Sequence, residues 1–168
     1  MTASPARRAR TKDVPGIKAL VNRYAGRVLL AKELITLYED VQEFWVVEED
    51  GEVIGCGALH VLWQDLAEIR TLAVHPDHTG KGIGHSLVRA LLATARELGT
   101  NRVFVLTFQK SFFALHGFTE IHGTPVPPHV YEHMLRSYDT GVAEFLDLAY
   151  VRPNTLGNIR MLLEMERG

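Results

Sequence analysis

The hydrophobic period of this chain changes once, and abruptly, between Val74 and Leu87. Before the change, three runs bounded by turn residues read as strands: Phe44 to Glu48, Val53 to Trp63 and Ala67 to Val74. Asp50-Gly51 is a hairpin signal between the first two, and Gln64-Asp65 is a second tight connection. After the change, Leu87, Val88, Leu91, Leu92, Ala95 and Leu98 fall on one helical stripe, with Gly99 where a C-terminal cap belongs. A β-meander that feeds a helix through a glycine-rich turn implies a mixed α/β (α+β) sheet with helices on both faces.

The flanks extend this pattern. Ala9 to Thr11 ends a short first strand, and Asp13 is placed as an N-cap with Pro15 in the first turn. Ile17, Leu20, Val21 and Tyr24 recur at helical spacing until Gly26, and Leu34, Leu37, Tyr38 and Val41 suggest a second helix. Beyond Gly99, Arg102 to Thr107 is β-rich, Ser111 to His116 is one or two helical turns, and Phe118 to His122 is a further strand. Tyr131 to Tyr138 reads as helix, residues 141–153 stay open between helix and strand, and Ile159 to Met165 is the last strand. At 168 residues the chain is expected to be a single domain (1–168), with a core over about 7–123 and a C-terminal extension over about 124–168.

Charge narrows the partners. Eighteen Lys and Arg against twenty Asp and Glu leave a net charge of −2, without a basic stripe, which argues against nucleic acid. Arg7, Arg8, Arg10 and Lys12 are too short a cluster for a binding tail. Cys56 is the sole cysteine, so no intrachain disulfide can form, which fits a reducing compartment. No stretch approaches the apolar length of a membrane span, and the N-terminus lacks the apolar run of a secretory signal. The expectation is a cytoplasmic protein without membrane contact. His75/His78 and His129/His133 have ligand-like spacing, but no acidic or cysteine partners complete a set, so no metal is expected.

The chemistry is concentrated in Leu72-Ala73-Val74-His75-Pro76-Asp77-His78-Thr79-Gly80-Lys81-Gly82-Ile83-Gly84. Glycines at alternate positions let backbone N–H groups converge, and a helix N-terminus adds unpaired N–H groups and the positive end of its dipole. Together they suit a phosphate or diphosphate. The phosphate loop of nucleotide triphosphatases needs Gly-Lys-Ser/Thr, which is missing, and the dinucleotide fingerprint has a different glycine spacing.

Thr79-Gly80-Lys81-Gly82-Ile83-Gly84 resembles the acetyl-CoA loop of the GNAT superfamily of acetyltransferases, Gln/Arg-x-x-Gly-x-Gly/Ala, with Thr79 in place of Gln/Arg. Phe113-Ala114-Leu115-His116-Gly117-Phe118 resembles the family's Tyr-x-x-x-Gly-Phe, with Phe113 replacing tyrosine. The resemblance covers about residues 7–123. It implies the GNAT fold, a mostly antiparallel central sheet with a V-shaped splay between the strands ending at Val74 and starting at Arg102. It also implies acetyl-CoA as co-substrate, its pantetheine bonded to the backbone of Leu72, Ala73 and Val74 like an added strand. Thr79, Gly80, Lys81, Gly82, Ile83 and Gly84 would hold the diphosphate.

Within the superfamily, Cys56 to His60, Glu68 to Asp77, Arg102 to Thr107 and Phe112 to Phe118 resemble the acetyltransferase domain of bacterial N-acetylglutamate synthases, in a short form without the amino-acid-kinase domain. That resemblance implies an amino-acid acceptor, glutamate or glutamine, in arginine biosynthesis. Glu68 is the candidate catalytic base, since an α-amine is mostly protonated near neutrality. Alternation places it on one strand face with Arg70, Leu72 and Val74. The acceptor's carboxylates call for cations, and Lys32, Arg70 and Arg152 are the candidates. With Phe113 lacking a hydroxyl, Tyr138 or Tyr150 is left to serve as general acid, or the thiolate takes a proton from water. Two alternatives stay open: an enzyme acting on a polyamine, a small amine or a protein N-terminus, with Glu39, Asp40, Glu43 and Glu48 as an acidic surface, and a non-catalytic acetyl-CoA sensor. A homodimer is also left open.

Overall fold

The computed structural model describes residues 4–24 and 33–166. In chain order its elements are β1 (Arg7–Arg8), α1 (Val14–Asn22), α2 (Leu34–Glu39), β2 (Phe44–Glu49), β3 (Glu52–Trp63), β4 (Leu66–Val74), α3 (Ile83–Leu98), β5 (Arg102–Thr107), α4 (Lys110–Ala114), β6 (Thr119–Glu120), α5 (Pro128–Met134), α6 (Thr140–Phe145), α7 (Arg152–Thr155) and β7 (Ile159–Glu164). The strand order is β1-β2-β3-β4-β5-β7-β6. β1–β2, β2–β3, β5–β7 and β6–β7 pair antiparallel, while β4–β5 pair in parallel. The expected mixed, mostly antiparallel sheet is therefore present.

The chain divides into two compact units, Met1–His60 with Ile69–Leu98, and Val61–Glu68 with Gly99–Gly168. In the first, α1 has nine residues, too few to persist in water alone, so its stability comes from packing. Val14, Ile17, Leu20 and Val21 bury against Phe44, Val46, Cys56 and Ala58. Val47 and Ile54, whose side chains point to the opposite sheet face, pack with Ile83 and Leu87 of α3. Gly55 and Gly57 make that approach possible. A Cβ at Gly55 would stand 2.7 Å from Ile83 Cγ2, and one at Gly57 would stand 3.0 Å from Leu72 and Leu91.

Asp13 occupies the N-cap position, as expected, but its carboxylate does not cap α1. It accepts instead from the Arg10 N–H (2.7 Å) and from both terminal nitrogens of Arg7 (2.8 and 2.9 Å). Arg7 also pairs with Glu48 on β2. The hydrogen bonds from Arg7 hold the Asp13 carboxyl below its ordinary pKa. The basic run at the N-terminus is thus partly consumed in structure, with Arg8 stacked over Trp45 at 5.1 Å.

The second unit is built around Leu62, Leu66, Phe104, Val130, Met134, Phe145 and Leu162. The segment open between helix and strand resolves into α6 and α7, and Asp139 caps α6 by accepting from the Val142 N–H at 2.9 Å. The helix read from Tyr131 begins earlier, at Pro128, where a missing N–H costs nothing, and ends at Met134. The strand expected from Phe118 to His122 shortens to Thr119–Glu120. β7, at the end of the C-terminal extension, lies between β5 and β6 and pairs with all six residues of β5.

Candidate functional site

β4 is paired with β5 at Leu66–Arg102, Ala67–Val103 and Glu68–Phe104, and runs on to Val74. Its course is broken at Thr71, which has φ +55°. A β-branched residue in the left-handed region within a strand is a bulge-like irregularity and costs on the order of 1–3 kcal/mol. Leu72 and Val74 pack beside Ile83 and Leu87, whereas Ala73 packs beside Cys56 and Ala58. The Cys56 thiol donates to the Thr71 carbonyl at 3.4 Å, and full burial pushes its pKa up to about 12, so Cys56 is a core residue.

After Val74 the chain makes a 3₁₀ turn, Pro76–His78, in which His75 Nδ1 accepts from the Asp77 N–H. Gly80 and Gly82 then adopt φ +78° and +80°, and no atom lies within 4 Å of where a Cβ would stand on either. These glycines are required by backbone conformation, with open space beside them. The first intrahelical bond of α3 runs from Ser86 N–H to the Gly82 carbonyl, so the preceding N–H groups have no helical acceptor. The Thr79 hydroxyl is turned back to the Pro76 carbonyl at 3.2 Å. The Lys81 ammonium and Glu49 Oε2 each lie 3.1 Å from His78 Nδ1. Left-handed glycines, the N-terminus of α3 and the Lys81 ammonium are thus gathered in one loop, a combination suited to a diphosphate.

The second unit brings a carboxylate and a guanidinium together. Glu68 is only 3% exposed. It pairs across with Phe104, and Leu106 pairs with Arg160 on β7. Glu68, Phe104, Leu106 and Arg160 therefore share one face of β4–β5–β7. Arg160 lies over the Phe104 ring at 4.9 Å. It donates through Nε to Gly123 O (3.0 Å), Nη1 to Glu144 O (3.4 Å) and Nη2 to Phe145 O (2.5 Å). Burial lowers its pKa, and the charges of Asp147 and Glu68 act in the opposite sense.

The other expected site residues fall as follows. Lys32 lies outside the described residues. Arg70 is partly buried on β4. Arg152 is on the surface at the start of α7, paired with Asp147 at 3.3 Å. Tyr138 and Tyr150 are both strongly exposed, and Phe113 is buried beside Phe118. Sequence reasoning passed over Arg160, although a lone charge inside the apolar run Ile159 to Leu163 was a usable signal. Among the described residues no group of His, Cys, Asp or Glu is placed to hold a metal, and no helix is long and apolar enough to cross a membrane.

Residues 17–123 match the acetyltransferase (GNAT) family. The chain belongs to that family. It is 67% identical to an amino-acid acetyltransferase of Mycobacterium tuberculosis over 160 residues, 94% of this chain and 92% of the relative. A crystal structure of a Mycobacterium tuberculosis protein in complex with CoA superposes with a TM-score of 0.94 at 65% identity, covering 96% of this chain and 99% of that one. N-acetylglutamate synthase from Neisseria gonorrhoeae, complexed with coenzyme A and N-acetyl-glutamate, superposes with a TM-score of 0.76 at 26% identity. That match covers 96% of this chain but 35% of the synthase. As a GNAT acetyltransferase this chain uses acetyl-CoA.

Proposed function

We propose that this enzyme acetylates the α-amine of an amino acid, glutamate or glutamine, as a cytoplasmic step of arginine biosynthesis. The observation that carries the reading is that buried Glu68 and half-buried Arg160 share one face of β4–β5–β7. A free amino acid needs a base for its ammonium and a cation for its carboxylate, and this face supplies both. The 67% identity to an amino-acid acetyltransferase over nearly the whole chain supports the same reading.

In this mechanism Glu68, directly or through water, takes a proton from the acceptor ammonium. The freed amine attacks the thioester carbonyl, a C–N bond forms, and the C–S bond breaks. As the C–S bond breaks the nitrogen gives up its second proton to solvent, and the thiolate leaves and takes a proton from solvent, since Tyr138 and Tyr150 stand on the surface. The backbone of Leu72, Ala73 and Val74 aligns the pantetheine, and Thr79 to Gly84 hold the diphosphate through N–H groups and Lys81. Arg160, on the Glu68 face, takes a carboxylate of the acceptor in place of Arg152, one of the three cations the sequence offered, which is exposed and paired with Asp147; Lys32 and Arg70 remain candidates for a second carboxylate. The test is a thiol-release assay with acetyl-CoA against a panel of amino acids and polyamines. Turnover confined to glutamate and glutamine is the expected result, and a preference for spermidine would sink the amino-acid reading.

A further inference from the structure

The last residues of β4 are held by bonds that fix which way each peptide points. The His75 N–H donates to the Ile54 carbonyl of β3 at 2.8 Å. Every described peptide is trans, so the N–H and C=O of one unit point in opposite directions. The Val74 carbonyl, in the same peptide unit as the His75 N–H, therefore faces away from β3. That is the side of β4 on which an extended ligand can add as a strand does. A side chain already stands there: the Tyr24 hydroxyl donates to the Val74 carbonyl at 2.5 Å, across fifty residues of sequence.

Tyr24 is placed by the turn that ends α1, where its N–H donates to the Val21 carbonyl at 3.0 Å. Its ring packs against the core of Val14, Ile17, Leu20 and Ala73. The hydroxyl thus reaches the carbonyl from the α1 side of the sheet. A carbonyl oxygen has two lone pairs, so one remains for a donor lying along the strand edge. Burial raises the pKa of the phenol, which stays a donor through the neutral range.

We infer that Tyr24 is a positioning residue for the pantetheine arm of acetyl-CoA, its hydroxyl holding the Val74 peptide in the orientation that presents C=O to a cofactor amide. The inference rests on the assignment of β4 as the pantetheine strand. It does not depend on which amine is acetylated.

Tyr24→Phe keeps the ring and removes the donor. Calorimetric affinity for CoA is compared with that for 3′-phospho-ADP, which carries the diphosphate but no pantetheine. The variant is expected to bind CoA about 3- to 10-fold more weakly, the scale of one hydrogen bond, and 3′-phospho-ADP as the parent does. KM for acetyl-CoA should rise by the same factor with kcat nearly constant. Equal losses for both ligands would mark a general effect on folding and overturn the inference, as would unchanged or tighter CoA binding. If the parent itself binds CoA no better than 3′-phospho-ADP, the pantetheine strand is misassigned and the inference falls with it.

Discussion

The glycine loop after β4 and the Arg160 corner of β7 are built by opposite means. The loop is defined by its backbone, and its glycines lie within a few positions of one another, Gly80 to Gly84. The corner is defined by side chains, and it gathers Glu68, Phe104, Glu144, Phe145 and Arg160, which are spread over more than half the chain. A backbone device is written locally because conformation is local: φ of +78° and +80° calls for glycine whatever surrounds it. A side-chain device depends on which strands become neighbours, and nothing near Arg160 in sequence states that β7 will lie beside β5.

The largest effect should come from the loop. Gly82→Asp places a side chain and a negative charge where the diphosphate is expected, against a φ of +80°. CoA affinity measured by calorimetry should fall by about 100-fold or more, the scale of at least one lost charge-assisted bond plus repulsion. A folded variant with parental affinity would remove the loop from the cofactor site.

Glu68→Gln should leave CoA affinity intact and lower kcat by about 10²-fold, the usual scale for a general base. The deficit should shrink as pH rises and the acceptor amine deprotonates unaided. Unchanged turnover at neutral pH would take Glu68 out of the mechanism.

Arg160 and Arg152 form a contrast within one segment. Arg160→Met should raise KM for glutamate or glutamine by roughly 10- to 100-fold, since bonds to charged groups contribute about 1.5–3 kcal/mol. It should also lower the melting temperature, because three carbonyls lose a donor. Arg152→Ala removes only an exposed pair with Asp147 and should change KM less than about twofold and stability by under about 1 kcal/mol. The reverse ranking in steady-state kinetics would return the carboxylate to Arg152.

The smallest effect is confined to acid. Asp13 has a folded-state pKa held low by Arg7, so it contributes stability that is fully present above its unfolded value of about 3.9 and is lost as pH falls through the folded value. Asp13→Asn should be less stable than the parent at pH 7 and should flatten the acid limb of the stability curve below about pH 4. Parallel acid limbs for the two proteins would show that the Arg7–Asp13 pair contributes nothing to folding.

Much of the fold was legible because its signals are short-range. Asp50-Gly51 separated β2 from β3, the 3.6-residue stripe from Leu87 marked α3, and the β5 limits coincide with the apolar run from Arg102 to Thr107. Asp13 shows the limit of such signals. It has the right residue type at the right place for a cap, yet Arg7 offers its carboxylate a cationic partner. Thr71 shows it again, since nothing in Glu68-Ile69-Arg70-Thr71-Leu72 marks a left-handed residue in a strand. Tyr24 looked like one more core position at helical spacing, and its hydroxyl bond to Val74 depends on how α1 lies on the sheet.

The amino-acid sequence by itself determined the meander, the glycine loop, the helix that follows it and the family to which they belong, because turn chemistry and hydrophobic period act over a few residues. Only the tertiary structure decided that β7 enters between β5 and β6, that Arg160 shares the Glu68 face while Arg152 stands exposed on α7, and that Tyr24 reaches the end of β4. Those pairings join residues tens of positions apart. They are selected by the packing of whole elements, a quantity that no local window of sequence contains.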